Sequence, residues 1–332
     1  MALDPLHQLE IIINILAQSL GGWLLAPMQA LSFMGTDNFY YFILPALYWC
    51  IDARLGLRVG VILLLSNGLN SFFKLTFHAA RPYWVDERVT AYAAETSFGL
   101  PSGHAQNAAS VWGLLAAFAR KPARKWALIA LLILIGLSRL YLGVHFATDV
   151  LAGWALGGLL VWAVLRLEKP LTAWLSRFSL AMLLALALLS SLLMLALLLG
   201  YTLLQAGVPV PTAWSQMAFA RTGVEIAPYG LDGPFTLAGT WLGLLGGAAW
   251  LFRRGGLQTK VTPLQLLLRY LLGLAGVLLL WFGLGQVFPR GLDPVSFALR
   301  YFRYALIGLW ISALAPLLFI RLGWAKRGAP AG

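Results

Sequence analysis

Apolar runs of about twenty residues, separated by short charged connections, limit what this chain can fold into more than any other feature. A helix of that length crosses a hydrocarbon layer of roughly 30 Å. Eight such runs lie at about 56–77, 102–120, 126–144, 147–165, 178–204, 235–252, 264–288 and 300–320, and a shorter ninth covers about 39–51. Only 11% of the 332 residues are charged and 60% are hydrophobic, too little charge to cover a soluble domain of this length. The expected fold is therefore all-α, a polytopic membrane helical bundle of about nine spans. The 34 glycines and 14 tryptophans suit helix packing in lipid and anchoring at its interface.

Residues 5–33 are apolar but interrupted by His7, Gln8, Gln18 and Gln29. They read as an amphipathic helix lying in the interface, with a first spanning helix as the alternative. Three regions are expected: the amphipathic helix at 1–35, a core of about five spans at 36–170, and an extension of about four spans at 171–332. Cys50 is the only cysteine, so the chain forms no internal disulfide.

A net charge of +12 would suit a nucleic-acid partner, but its placement argues for a bilayer instead. The turns at 52–58, 120–125, 166–177, 253–269 and 321–327 carry two, four, three, four and three basic residues, 16 of the 24 Lys and Arg. Basic residues concentrate in cytoplasmic loops. Alternation of the spans then brings Lys74, Arg81 and Arg139 to the opposite face. Asp4 and Glu10 stand where a cleavable signal peptide would have a basic leader. The expected location is a bacterial inner membrane, with those three cations facing outward.

Three clusters carry the chemistry. Lys74 and Arg81 are seven apart, two helical turns, so they can share one face. Two readings stand for them: snorkelling anchors, or a site for an anion, which Arg grips as a fork and Lys as a point charge. Pro101-Ser102-Gly103-His104 precedes an apolar run. Ser102 suits an N-cap, Gly103 allows close backbone approach, and the helix start favours an anion beside His104. A capped helix with an incidental histidine is the competing reading. In Ser138-Arg139-Leu-Tyr-Leu-Gly-Val-His145-Phe-Ala-Thr-Asp149, His145 and Asp149 are four apart. A carboxylate on one ring nitrogen fixes the tautomer and leaves the other nitrogen as a nucleophile or base. The same spacing also suits a pair that merely satisfies itself. Arg139 and His145 are six apart, so Gly143 is expected to open a break between two helices.

Taken in order, Lys-x6-Arg-Pro, Pro-Ser-Gly-His and Ser-Arg-x5-His-x3-Asp resemble the signature of the type 2 phosphatidic acid phosphatase superfamily. The layout, with Arg81-Pro-Tyr-Trp84 and the loop from Glu95 to Pro101, is similar to the glucose-6-phosphatase and sphingosine-phosphate phosphatase branches. The resemblance implies that His145 attacks phosphorus to form a phosphohistidine, with Asp149 orienting it. It implies that His104 protonates the leaving oxygen and later activates water. It assigns the phosphoryl oxygens to Lys74, Arg81, Arg139, the Ser102 hydroxyl and the Gly103 backbone N–H, with no cofactor. No cluster of Asp, Glu and His with metal-ligand spacing competes for that role.

Other residues read more simply. His78 reads as an interfacial histidine, and Tyr83 and Trp84 as interfacial aromatics or as cover for a lipid tail or sugar ring. Asp86 and Glu95 read as solvated loop carboxylates rather than tuners of substrate access or partners of the motif arginines, and Arg300 and Arg303 as anchors at a span end rather than guides for an anionic head group. The expected activity is hydrolysis of a lipid monophosphate or diphosphate, such as a polyprenyl diphosphate or phosphatidic acid. A soluble sugar phosphate is the rival substrate. A transporter or binding protein for anionic lipids is the rival class, and it would have no use for an imidazole pair tuned to proton transfer.

Overall fold

A computed structural model describes residues 5–259 and 261–328. Residues 1–4, part of the expected N-terminal helix, and Lys260, counted above in a basic turn, lie outside the described residues. The chain starts with α1 (Pro5–Ser19), a short 3-10 turn and α2 (Leu25–Phe33). Then come α3 (Asp37–Ala46), α4 (Ala53–Phe77), α5 (Pro82–Val85), α6 (Gly103–Ala117), α7 (Pro122–Tyr141) and α8 (Ala147–Leu175). The remainder comprises α9 (Leu180–Gln205), α10 (Thr212–Thr222), α11 (Asp232–Phe252), α12 (Pro263–Leu278), α13 (Leu284–Val287), α14 (Pro294–Leu309) and α15 (Ala315–Arg321). Among the described residues one sheet forms, pairing β1 (Leu257–Gln258) antiparallel with β2 (Lys326–Arg327).

Among the described residues, six stretches are long and apolar enough to cross a membrane: Ala53–Val85, Ala147–Leu175, Leu180–Gln205, Asp232–Phe252, Pro263–Val287 and Pro294–Arg321. The pair Pro5–Ser19 and Gly22–Phe33 makes a seventh if it counts as one span, bent by 87°. The expected nine is not reached by this measure, for local reasons. At 39–51 the helix α3 is 10 residues long and continues as a 5-residue π turn. Helix α6 is 15 residues long, and α7 carries Arg124, Lys125 and Arg139 along its 20. Lipid-facing surface is plain on α9, where Leu189, Leu193, Leu197 and Leu204 are 62%, 60%, 63% and 74% exposed. Large apolar surface of that kind belongs in lipid.

The chain divides into two compact units. One contains Met1–Tyr40, Leu65–Val164 and Tyr201–Gly230, and it holds all three sequence clusters. Glycines set the approach of α8 to α6 within it. A Cβ on Gly153 would fall 2.6 Å from Ser102 O, and one on Gly157 would fall 2.6 Å from Gln106 O. Such small residues let two backbones meet. A buried amide network joins α4 to α6. Ser66 donates to Asn107 Oδ1 (2.7 Å), Asn70 to Gln106 Oε1 (2.9 Å), and Gln106 Nε2 to Ser66 O (2.8 Å). Asn70 also donates to Pro101 O at 3.2 Å, which ties the start of α6 to the helix that carries Lys74.

Helix α1 is amphipathic with its polar stripe turned inward. Glu10 and Asn14 are buried, while Leu6, Leu9, Leu16 and Leu20 are more than half exposed. The second unit contains Tyr41–Leu64, Leu165–Gly200 and Leu231–Gly332. Its core gathers Tyr48, Trp49, Tyr304, Ile311 and Phe319. Trp49 Nε1 donates to Ile311 O (2.8 Å) and Tyr48 to Ser312 O (3.0 Å), so both buried aromatics are satisfied.

The amide network yields a direct test. Gln106→Leu removes one of the two acceptors of Asn70 Nδ2 and the side-chain donor to Ser66 O, a loss of about 1–3 kcal/mol for buried polar groups. A clear fall in melting temperature of the detergent-solubilised protein is expected. An unchanged melting curve would mean that the network does not hold α4 to α6.

Candidate active site

Lys74 sits in the last turn of α4. It donates to Phe98 O (2.6 Å) and Ser97 Oγ (3.0 Å). The expectation that Lys74 and Arg81 share one helix face is corrected by the backbone. Helix α4 stops at Phe77, and His78 adopts a positive φ of 47°. Arg81 therefore leaves the helix and caps the short α5, with Pro82 at its first position. Its guanidinium is fully buried. It donates to Ser97 O (2.7 Å), Val144 O (2.8 Å) and Phe98 O (3.1 Å), and its Nη1 lies 3.1 Å from His145 Nε2.

Ser102 is the N-cap of α6 and accepts from Ala105 N. Its own N–H donates to Asp149 O (2.9 Å), which joins the second cluster to the third. His104 follows in the first turn of α6, packed against Gly35, where a Cβ would lie 3.2 Å from the His104 Cβ and Cδ2. It stands two residues after Ser102, whose N–H is bonded to Asp149 O, so the start of α6 brings it to the third cluster. Arg139 donates to the Ser32 hydroxyl and to Glu95. After α7 ends at Tyr141, Gly143 takes a φ of +74°. A Cβ there would fall 2.3 Å from Thr90 O, so the position requires glycine. The expected break is thus present, and His145 lies in the turn before α8.

Hydrogen-bond chemistry sets the histidine tautomer. Arg has donors only. His145 Nε2, facing Arg81, therefore carries the lone pair, and Nδ1 carries the proton towards Asp149 Oδ2 at 3.1 Å. Asp149 Oδ2 also accepts from Phe146 N (2.9 Å), which fixes the carboxylate. Burial, and then the charges of Arg81 and Lys74, hold His145 well below the ordinary imidazole range, so the ring is neutral. A neutral imidazole with Nδ1–H held by a carboxylate and its Nε2 lone pair turned to a guanidinium is equipped to attack an electrophile whose negative charge that guanidinium takes up.

Glu95 departs from expectation. It is not a solvated loop carboxylate: it pairs with Arg139 and lies 3.5 Å from Arg81. Burial acts to raise its pKa, but Arg81 and Arg139 outweigh this and hold the carboxyl well below its usual range. It therefore remains ionised through the pH range where free carboxylates take up protons. Its stabilising contribution is present above that range and is lost only as pH falls below it. Asp86 is likewise paired, with Arg88 at 2.7 Å.

Sequence reasoning passed over the inner face of α1. Glu10 accepts from Thr148 N (2.7 Å), and Asn14 donates to Leu140 O (2.9 Å) and His145 O (3.1 Å). Gln18 donates to Thr90 O (2.8 Å) and Tyr141 O (3.0 Å). These three residues clamp the turn that presents His145. Their spacing of four was the available signal, since it puts three polar groups in one row of an apolar helix.

Two family models match the chain: the PAP2 superfamily over residues 55–173, and the PAP2 superfamily phosphatase transmembrane extension over 235–327. Phosphatidylglycerophosphatase B of Bacillus subtilis (strain 168) is 34% identical over 165 residues, covering 45% of this chain and 77% of that protein. Glucose-6-phosphatase 3 of Homo sapiens is 29% identical over 177 residues, covering 46% of this chain and 51% of the relative, so the chain spans about half of its length. The crystal structure of a transmembrane PAP2 type phosphatidylglycerolphosphate phosphatase from Bacillus subtilis matches with 27% identity and a TM-score of 0.44, over 51% of this chain and 88% of that one.

Glu95 shares the two guanidiniums that face the cluster with any anion that enters it. Removing its charge by Glu95→Gln is expected to tighten inorganic phosphate binding about 5- to 30-fold, the effect of one or two kcal/mol. Competitive inhibition or calorimetry measures this. Equal or weaker phosphate binding by the variant would contradict the shared-arginine arrangement.

Proposed function

Because the chain belongs to the PAP2 superfamily, and so is a membrane-embedded hydrolase of phosphate esters, we propose that it removes phosphate from a lipid monophosphate or diphosphate through a phosphohistidine on His145. The observation that carries this reading is the line from Arg81 Nη1 through His145 to Asp149, with 3.1 Å at each step. It leaves a lone pair on Nε2 beside a permanent cation.

In the proposed reaction, Lys74, Arg81 and Arg139 hold the phosphoryl oxygens, helped by the Ser102 hydroxyl and the Gly103 N–H. The Nε2 lone pair of His145 forms a bond to phosphorus as the bond to the ester oxygen breaks. His104 gives its proton to that oxygen, and the alcohol or phosphate departs. Asp149 holds the Nδ1 proton and stabilises the charge that develops on the ring. Water then attacks phosphorus, His104 accepts its proton, and the phosphorus–nitrogen bond breaks to release phosphate and neutral His145. Fixed cations around the transferring group are the main catalytic device in phosphoryl transfer. Three of them supply that charge here, which supports a reaction independent of metal. Residues 36–170 are read as the phosphatase core and 171–332 as its extension.

A lipid substrate is favoured by the similarity to a protein named for phosphatidylglycerophosphate, 77% of which is covered. A soluble sugar phosphate is the second reading, favoured by the similarity to glucose-6-phosphatase 3. The excess of Lys and Arg in the other turns supports an active site on the non-cytoplasmic face, the periplasmic face of a bacterial inner membrane.

Phosphate release from phosphatidic acid, phosphatidylglycerophosphate, a polyprenyl diphosphate and glucose 6-phosphate, measured in EDTA, tests the reading. The expected result is higher kcat/KM on a lipid than on the sugar phosphate, and no turnover by a folded His145→Ala variant. Preference for the sugar phosphate reverses the substrate assignment. Turnover by the variant refutes the nucleophile, and activity only after added Mg²⁺ refutes metal independence.

A further inference from the structure

The second unit contains a cavity of about 400 Å³ formed by none of the motif residues. Three guanidiniums line it, from Arg290, Arg300 and Arg303, together with the rings of Phe282, Phe288 and Tyr304. The cavity lies where the start of α11, the α13–α14 connection and the first turns of α14 come together. Its lining has one carboxylate, Asp232.

The charges in this cavity do not balance. Asp232 Oδ2 lies 3.1 Å from Arg300 Nη1, and Arg300 Nε donates to the Thr236 hydroxyl at 2.9 Å. One cation is thereby neutralised. Arg290 has only an uncharged acceptor, Gly285 O, to which its Nε and Nη2 donate at 3.1 and 2.8 Å. Arg303 has still less. Its Nε is buried with no hydrogen-bond partner among the described residues, and its guanidinium stands 5.1 Å from the Tyr304 ring centroid. A second carboxylate, Asp293, is committed to capping α14. It accepts from Val295 N (3.0 Å), Ser296 N (3.1 Å) and the Ser296 hydroxyl (2.5 Å). Among the described residues, two guanidiniums thus face one cavity without a counter-charge. Such an arrangement is costly near a membrane unless an anion completes it.

The shape and surroundings of the cavity narrow the class of anion. Two arginine forks suit a tetrahedral oxyanion, and a phosphate monoester carries about −1.5 to −2 charge at neutral pH. Phe282 of the lining is 57% exposed, and Val287 and Val295, next in sequence to the lining residues Phe288 and Ser296, are 77% and 62% exposed. A charged end and an apolar flank together match a head group with its chain.

We propose that this cavity binds the phosphate group of an anionic amphiphile, with Arg290 and Arg303 as its ligands. The site lies outside the catalytic cluster and holds the molecule without cleaving it, since no imidazole, thiol or free carboxylate lines the wall. The reading of Arg300 and Arg303 as plain anchors is replaced: one is tied to Asp232 and the other is directed at a ligand.

Full-length protein in detergent can be titrated with a short-chain phosphonate analogue of phosphatidic acid, which no phosphatase consumes, and separately with inorganic phosphate. Native mass spectrometry counts the bound molecules. The proposal predicts one bound molecule fewer, or at least tenfold weaker binding of it, for Arg303→Gln and for Arg290→Gln. Arg303→Lys is expected to retain it, and the melting temperature controls for folding. Loss in the phosphonate arm alone identifies the head group with its chain as the ligand, and loss in both arms identifies the phosphate itself. If Arg303→Gln fails to fold, Arg290→Gln decides alone. Wild-type stoichiometry and affinity in the folded variants would overturn the proposal, as would a wild-type protein that binds no second molecule at saturation.

Discussion

Lys74, Arg81 and Arg139 are 9%, 0% and 2% exposed in a chain where only 11% of residues carry charge. Burying a cation is costly unless something of opposite sign or dipole meets it, and the first unit is arranged around that requirement. Backbone carbonyls of Ser97, Phe98 and Val144 accept from Lys74 and Arg81, and Glu95 pairs with Arg139 and Arg81. The same loop, 86–102, supplies most of these partners. It holds the cations in place, with Glu95 as the one carboxylate paired with them among the described residues. That remaining positive charge beside His145 Nε2 is what a phosphate group would meet.

Support for the turn that carries His145 comes from elements far apart in sequence. The glycine turn at Gly143 turns the chain out of α7, α8 begins two residues after His145, and Asp149 reaches back one helical turn. Ser102 N–H on Asp149 O joins the start of α6 to this turn. From the other side, Glu10, Asn14 and Gln18 bind its backbone. Helix α1 thus has two tasks. It presents leucines outward to an apolar medium, and it satisfies backbone groups that a turn buried among helices would otherwise leave unpaired.

Much of this was legible in the sequence, and what was missed has physical reasons. The three clusters, the capped start of α6 and the break at Gly143 follow from local rules: N-cap chemistry, glycine at positive φ and a spacing of four. Arg81 leaving the helix was not legible, because the stop is a positive φ at His78, with no glycine to mark it. The role of Glu95 was missed because its arginine partner Arg139 is 44 residues away and a loop carboxylate is usually solvated. The span count differed because α6 is short and α7 carries three cations, so only the sequence pattern marks them as spans, not length and hydropathy.

The central claim is that His145 Nε2 becomes bonded to phosphorus, and the most direct test is to trap that bond. Folded His104→Ala protein, mixed with an aryl phosphate whose leaving group departs without a proton and quenched in alkali, is predicted to carry phosphate on residue 145, stable to base and released by mild acid. Phosphate on another residue, or substrate hydrolysis by wild-type protein with no phosphate ever bound to residue 145, would contradict the account.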